Sequence, residues 1–183
     1  GRRRQRQMCI RDRLHVAKYN NKFSIKIFLC FYLTFLIWNI IATSWLYYAS
    51  LGGVLFAVLV NSLLMTIVFS LFFIVSKKIN SKLSLIFLVS LWLCFEKFHL
   101  IWDFSWPWLN IGNVFSEKTE WIQWYEYTGS FGGTLWVLLT NILIYKVFLC
   151  TIYNDKPRLL IVSVILVIIV PITISKIILY NLD

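Results

Sequence analysis

The sequence predicts an all-α integral membrane protein of about five transmembrane helices, with an interfacial aromatic arm between spans three and four. Three observations predict it. Hydrophobic residues make up 60% of the 183 and charged ones 14%, with a mean hydropathy of +0.75; a water-soluble domain is roughly 45–50% apolar and about 25% charged. The apolar residues come in runs near bilayer length, not in the short alternations of a soluble core. The connections between those runs change the sign of their charge along the chain.

The chain opens on GRRRQRQMCIRDR, where six arginines and one aspartate place +5 of the net +10 in residues 1–13. A basic arm of this kind binds nucleic acid or anionic lipid. The string also resembles translated sequencing-adapter sequence. On that reading it is a non-native leader, no nucleic-acid partner is expected, and the transmembrane domain is 14–183. The spans are expected at residues 27–48, 52–75, 83–101, 129–150 and 159–179. Some 20 residues at 1.5 Å rise cross the roughly 30 Å hydrocarbon layer. Helices are required because backbone polar groups in lipid must be satisfied internally. Only Ser50, Leu51, Gly52 and Gly53 separate the first two runs, which predicts a tight antiparallel hairpin.

Charge orients the spans. Lys18, Lys22 and Lys26 precede the first, Lys77, Lys78 and Lys82 follow the second, and Lys146, Lys156 and Arg158 face Asp155 alone between the fourth and fifth. Residues 102–128 instead carry Asp103, Glu117, Glu120 and Glu126 against Lys118. Positive charge marks the cytoplasmic side, so 102–128 and the C-terminus are expected to be extracytoplasmic. That arm also holds five of the nine tryptophans. Indole and phenol rings favour the membrane–water boundary, which predicts a belt of Trp102, Trp106, Trp108, Trp121, Trp124, Tyr125 and Tyr127. Pro107 and the turn formers Asn110, Gly112 and Asn113 bend it, and a short amphipathic helix is expected near residues 117–125. Taken by itself the arm is equally a plain interfacial anchor.

Other polar residues sit within the spans. Trp92, Glu96, His99 and Asp103 follow at i, i+4, i+7 and i+11, one face of a helix continued to Asp103. A histidine between two carboxylates would pair with them and hold the helix end to the arm. Such a stripe is also a candidate ion relay. Asn39, Asn61 and Asn141 are expected to bond across helices, and Gly129-x-x-x-Gly133 to allow close approach or simply start a helix. Pro171 should kink the last span, a neighbour or water taking the freed carbonyl. Cys9, Cys30, Cys94 and Cys150 have no metal-ligand or disulfide spacing, so no metal and no cofactor is expected.

At this point the residues resemble a known family. Glu96, then Ser105-Trp106-Pro107-Trp108-Leu109, then Gln123, Gly129, Gly133 and Asn141 look like the membrane part of bacterial apolipoprotein N-acyltransferase. Many members carry Glu-Trp-Leu-Arg and then Gly-Phe-Pro-Trp; Glu96-Lys97-Phe98-His99 and Ser105-Trp106-Pro107-Trp108 occupy those places. His99 and Ser105 depart from the pattern. "WIQWYEYTG" at Trp121–Gly129, "GGTLW" at Gly132–Trp136, Trp38-Asn39 and "NSLLM" at Asn61–Met65 fit one subgroup, and the likeness covers about residues 25–183.

The resemblance implies transfer of an acyl chain from a phospholipid donor to the N-terminal diacylglyceryl-cysteine of a lipoprotein, on the outer face of the bacterial inner membrane. The family's chemistry belongs to a nitrilase-like domain with a Glu-Lys-Cys set. That domain is expected to follow Asp183, so no catalytic residue is expected in this chain and no activity from it alone. Trp106, Pro107, Trp108, Trp121 and Trp124 become a lipid-access arm, with Glu96, His99 and Asp103 its structural polar stripe. Two other readings stand beside this one: a small transporter or channel built on that stripe, and a non-catalytic membrane anchor.

Overall fold

The computed structural model describes residues 23–44, 51–102, 109–153 and 156–181. Among them all regular structure is helical: α1 Ile25–Thr43, α2 Leu51–Ser76, α3 Ser81–Ile101, α4 Tyr125–Ile152 and α5 Arg158–Tyr180. Two 3-10 turns, Ile111–Phe115 and Thr119–Trp121, lie between α3 and α4. All five helices are long and apolar enough to cross a membrane. Of the four residues expected to form the hairpin turn, Ser50 lies outside the described residues, whereas Leu51, Gly52 and Gly53 are the first residues of α2. The chain divides into two compact units, 1–91 and 92–183.

In the first unit α1 and α2 run antiparallel, as the falling partner numbers show. Phe23 meets the ring of Phe73, Phe31 and Phe35 meet Phe69, and Asn61 Nδ2 donates to Asn39 Oδ1 at 2.7 Å. Asn39 Nδ2 donates to Phe35 O at 2.8 Å. The cross-helix asparagine pair is therefore the predicted one. Such bonds contribute about 0.6 kcal/mol on average in membranes, because the separated helices also find partners. Asn80 stops the turn after α2 by accepting the Leu83 N–H at 2.9 Å, a side-chain cap on the first turn of α3.

The second unit holds the end of α3, the arm, α4 and α5. Its fourth helix starts at Tyr125, four residues before the predicted boundary, and breaks at Gly129, whose φ of 65° and ψ of −171° are non-helical. That backbone region is essentially reserved for glycine. Gly129 thus acts as a hinge in the chain path. Gly133, its partner in the small-residue pattern, leaves the space that the Tyr125 phenol occupies, where a Cβ would collide. In α5 Pro171 has no N–H for Val167 O. Trp136 Nε1 of α4 donates to that carbonyl at 2.6 Å, so the neighbour expected from sequence is an indole.

The amphipathic helix expected near 117–125 is replaced by the 3-10 turn Thr119–Trp121 and a turn into α4. The physical reason lies in where the backbone donors go. Trp121 N–H and Ile122 N–H bond three residues back, while Gln123 N–H donates to buried Ser175 Oγ of α5 at 2.7 Å. One side chain of a neighbouring helix, Ser175 of α5, takes the Gln123 N–H that a helix would have bonded internally.

Candidate functional site

Where α3 ends, Glu96 is 2% exposed, and its carboxylate accepts from three parts of the unit. Trp92 Nε1, one turn earlier, donates to Oε1 at 3.1 Å; Ile111 N–H of the arm donates to the same oxygen at 2.8 Å; Thr134 Oγ1 of α4 donates to Oε2 at 2.6 Å. Thr134 Oγ1 in turn accepts Gly112 N–H at 2.9 Å. A buried carboxylate is tolerable only when its lone pairs are taken, and here they are taken by the groups that need placing. Gly112 completes the junction. Its carbonyl accepts the Tyr125 hydroxyl at 2.9 Å, and a Cβ there would run into the Ser130 carbonyl. The arm lies backbone to backbone on α4.

The polar stripe divides on inspection. Trp92 and Glu96 share a face and bond, as spacing predicts. His99 does not pair with Glu96, whose oxygens are occupied. Its ring stacks on Phe95 with centroids 5.4 Å apart and lies 5.9 Å from Trp102. Its expected carboxylate partner Asp103 lies outside the described residues. A relay through Glu96 finds no support in this geometry, because the carboxylate is committed to structural donors. Lys97, beside it, places Nζ 5.7 Å from the centroid of the Phe131 ring.

Two tryptophans of the arm, Trp121 and Trp124, border two apolar gaps between α4 and α5. Trp136 stands between them and lines both. One gap, about 540 Å³, is lined by Trp124, Thr128, Gly132, Leu135, Val170 and Pro171, among others. The other, about 290 Å³, is bordered by Phe115, Trp121, Thr140 and Ile168. Trp106, Pro107 and Trp108 lie outside the described residues. Asn141 bonds Val137 O of its own helix at 3.0 Å and is exposed, so the expected cross-helix bond is absent. Cys94 is exposed, and Cys30, Cys94 and Cys150 are free thiols.

Thr134, Ser175, Trp136 and Gly112 went unnoticed as a set in the sequence. Each is ordinary alone and acquires its role from a partner 22 to 52 positions away. The one local signal was the run of Gly132-Gly133-Thr134 at the head of an otherwise apolar span.

A sequence-family model described as "Apolipoprotein N-acyltransferase N-terminal domain" matches residues 14–143. The curated apolipoprotein N-acyltransferase of Chlorobaculum tepidum is 27% identical over 118 residues, 64% of this chain and 22% of that protein. The matched stretch thus spans about a fifth of the length of that relative. No solved structure matches the chain. The family match takes in α1 to α3, the arm and about the first two thirds of α4, and with them Glu96, Gly112 and Thr134; the chain belongs to the apolipoprotein N-acyltransferase N-terminal domain family.

Proposed function

We propose that these helices form the membrane part of an apolipoprotein N-acyltransferase of the bacterial inner membrane. The complete polypeptide would move an acyl chain from a phospholipid to the N-terminal diacylglyceryl-cysteine of lipoproteins. The observation that carries the reading is the family match across the stretch that contains the Glu96 junction. On this reading residues 1–13 are a non-native leader, 14–183 the membrane domain, and the catalytic set belongs to a further domain of the same polypeptide. Lysine-rich connections face the cytoplasm, while the arm and the end of α5 face outward.

The helices' part in the reaction is placement. Both substrates present their reacting groups at the outer surface of the bilayer, and holding a catalytic domain there removes much of the entropic barrier to their encounter. Glu96 and Thr134 fix the arm, and the arm sets Trp121 and Trp124 at the apolar gaps, where Trp106, Pro107 and Trp108 would extend the same lipid-facing surface. The test is made in the complete polypeptide. Trp121→Ala and Trp124→Ala should raise the apparent KM for phospholipid several-fold, with membrane yield and kcat largely kept. Loss of folded protein without a change in KM would contradict the lipid-access role. Failure of the unmodified polypeptide to acylate a diacylglyceryl lipopeptide would contradict the function itself.

A further inference from the structure

We infer that Ser175 of α5 is a positioning residue for the proposed reaction, setting Trp121 and Trp124 through the backbone of Gln123. The inference rests on the lipid-access reading above and names the contact that holds those two indoles in place.

The backbone at residue 123 has no local partner. Trp121 and Ile122 N–H bond three residues back, to Lys118 O and Thr119 O, and Tyr125 and Glu126 resume the pattern, to Ile122 O and Gln123 O. Between them Ile122, at φ −126° and ψ 22°, leaves helical geometry. The next N–H is turned out of the series and donates to Ser175 Oγ at 2.7 Å. A backbone N–H shut off from water costs free energy unless it is paired, and Ser175 is 0% exposed.

The acceptor comes from a particular face of α5. Ile168, Ile172 and Ser175 follow at i, i+4 and i+7, and both isoleucines line the gap that Phe115 and Trp121 also border. Alanine is the better helix former and would keep this helix. What the serine adds is its oxygen.

The bond reaches the indoles because Gln123 lies between them. Trp124 Nε1 donates to Trp121 O at 3.3 Å. Gln123 Nε2 donates to Thr119 O at 2.9 Å, closing the turn that carries Trp121. Turn, glutamine and both tryptophans form one block, and Ser175 ties it to α5. Glu96 and Thr134 hold the arm at residues 111 and 112. Loss of the Ser175 bond therefore frees the far end of the arm while the near end stays.

The test uses the complete polypeptide in lipid nanodiscs, as Ser175→Ala and as Ser175→Thr, which keeps a hydroxyl. Hydrogen–deuterium exchange needs no reaction and is followed first. Peptides covering 119–124 should exchange about tenfold faster in Ser175→Ala. Those covering 109–113 should keep the unmodified rate, and Ser175→Thr should restore protection throughout. Unchanged exchange at 119–124 would overturn the tie; so would a loss spread over the helices, which would make Ser175 part of the general packing. Acyl transfer is then measured against the mole fraction of phospholipid donor. Ser175→Ala should raise the apparent KM for the donor about threefold, with kcat and the KM for lipopeptide unchanged, and Ser175→Thr should return it. In a Trp121→Ala, Trp124→Ala background, Ser175→Ala should add nothing. A fall in kcat alone, or an effect undiminished in that background, would overturn the positioning role. Absence of acyl transfer in the unmodified polypeptide would remove the proposed reaction and this consequence with it, whereas the exchange result judges the bond by itself.

Discussion

At Glu96 one carboxylate answers donors from its own helix, from the arm and from α4. Removing it leaves the Ile111 N–H and the Thr134 hydroxyl facing a cavity, and an unsatisfied buried donor costs about 1–3 kcal/mol. Glu96→Ala is therefore expected to destabilise the second unit by about 2–4 kcal/mol. Glu96→Gln keeps an acceptor for Ile111 and Trp92 and offers Thr134 an amide in place of an oxygen, so about 1 kcal/mol is expected. Unfolding midpoints of the purified variants in detergent check the order. Equal losses would mean that the hydrogen bonds are not what holds the arm. Glu96 was legible in the sequence as an intramembrane acid on one face with Trp92, but its partners Ile111 and Thr134 were not. Spacing put His99 beside it; packing gave His99 to Phe95 and Trp102 instead.

Helices α4 and α5 meet through an indole that repairs a proline. Trp136→Phe keeps an aromatic spacer but leaves Val167 O without its donor, at an expected cost of about 1 kcal/mol. Pro171→Ala returns a backbone N–H to that carbonyl. In the Pro171→Ala background the same Trp136 change should cost at most half as much, which a double-mutant cycle on unfolding free energy measures. Full additivity would refute the repair. At this scale the five apolar runs read from sequence correspond to five helices long and apolar enough to cross a membrane, because runs of bilayer length allow little else. Sequence reading missed the start of α4, where Gly129 permits a sharp change of path without ending the regular structure. It also missed the 3-10 turns of the arm. Their backbone partners are Glu96, Thr134 and Ser175, side chains far off in sequence, and no local pattern records them.

Over the whole molecule, composition and run length determine the class, and the alternating connections are the basis of the proposed orientation. Lysine-rich connections flank α1, α2 and α4, whereas the arm carries four acids and one lysine. The most direct measurement is accessibility labelling. With the native cysteines replaced by serine, Ser116→Cys in the exposed arm and Lys78→Cys after α2 are treated in intact spheroplasts with a membrane-impermeant maleimide. Modification of position 116 alone, with 78 reacting only after lysis, is the predicted result. Reaction at 78 in intact cells, with 116 protected until lysis, would invert the topology and remove the membrane-surface role from the arm.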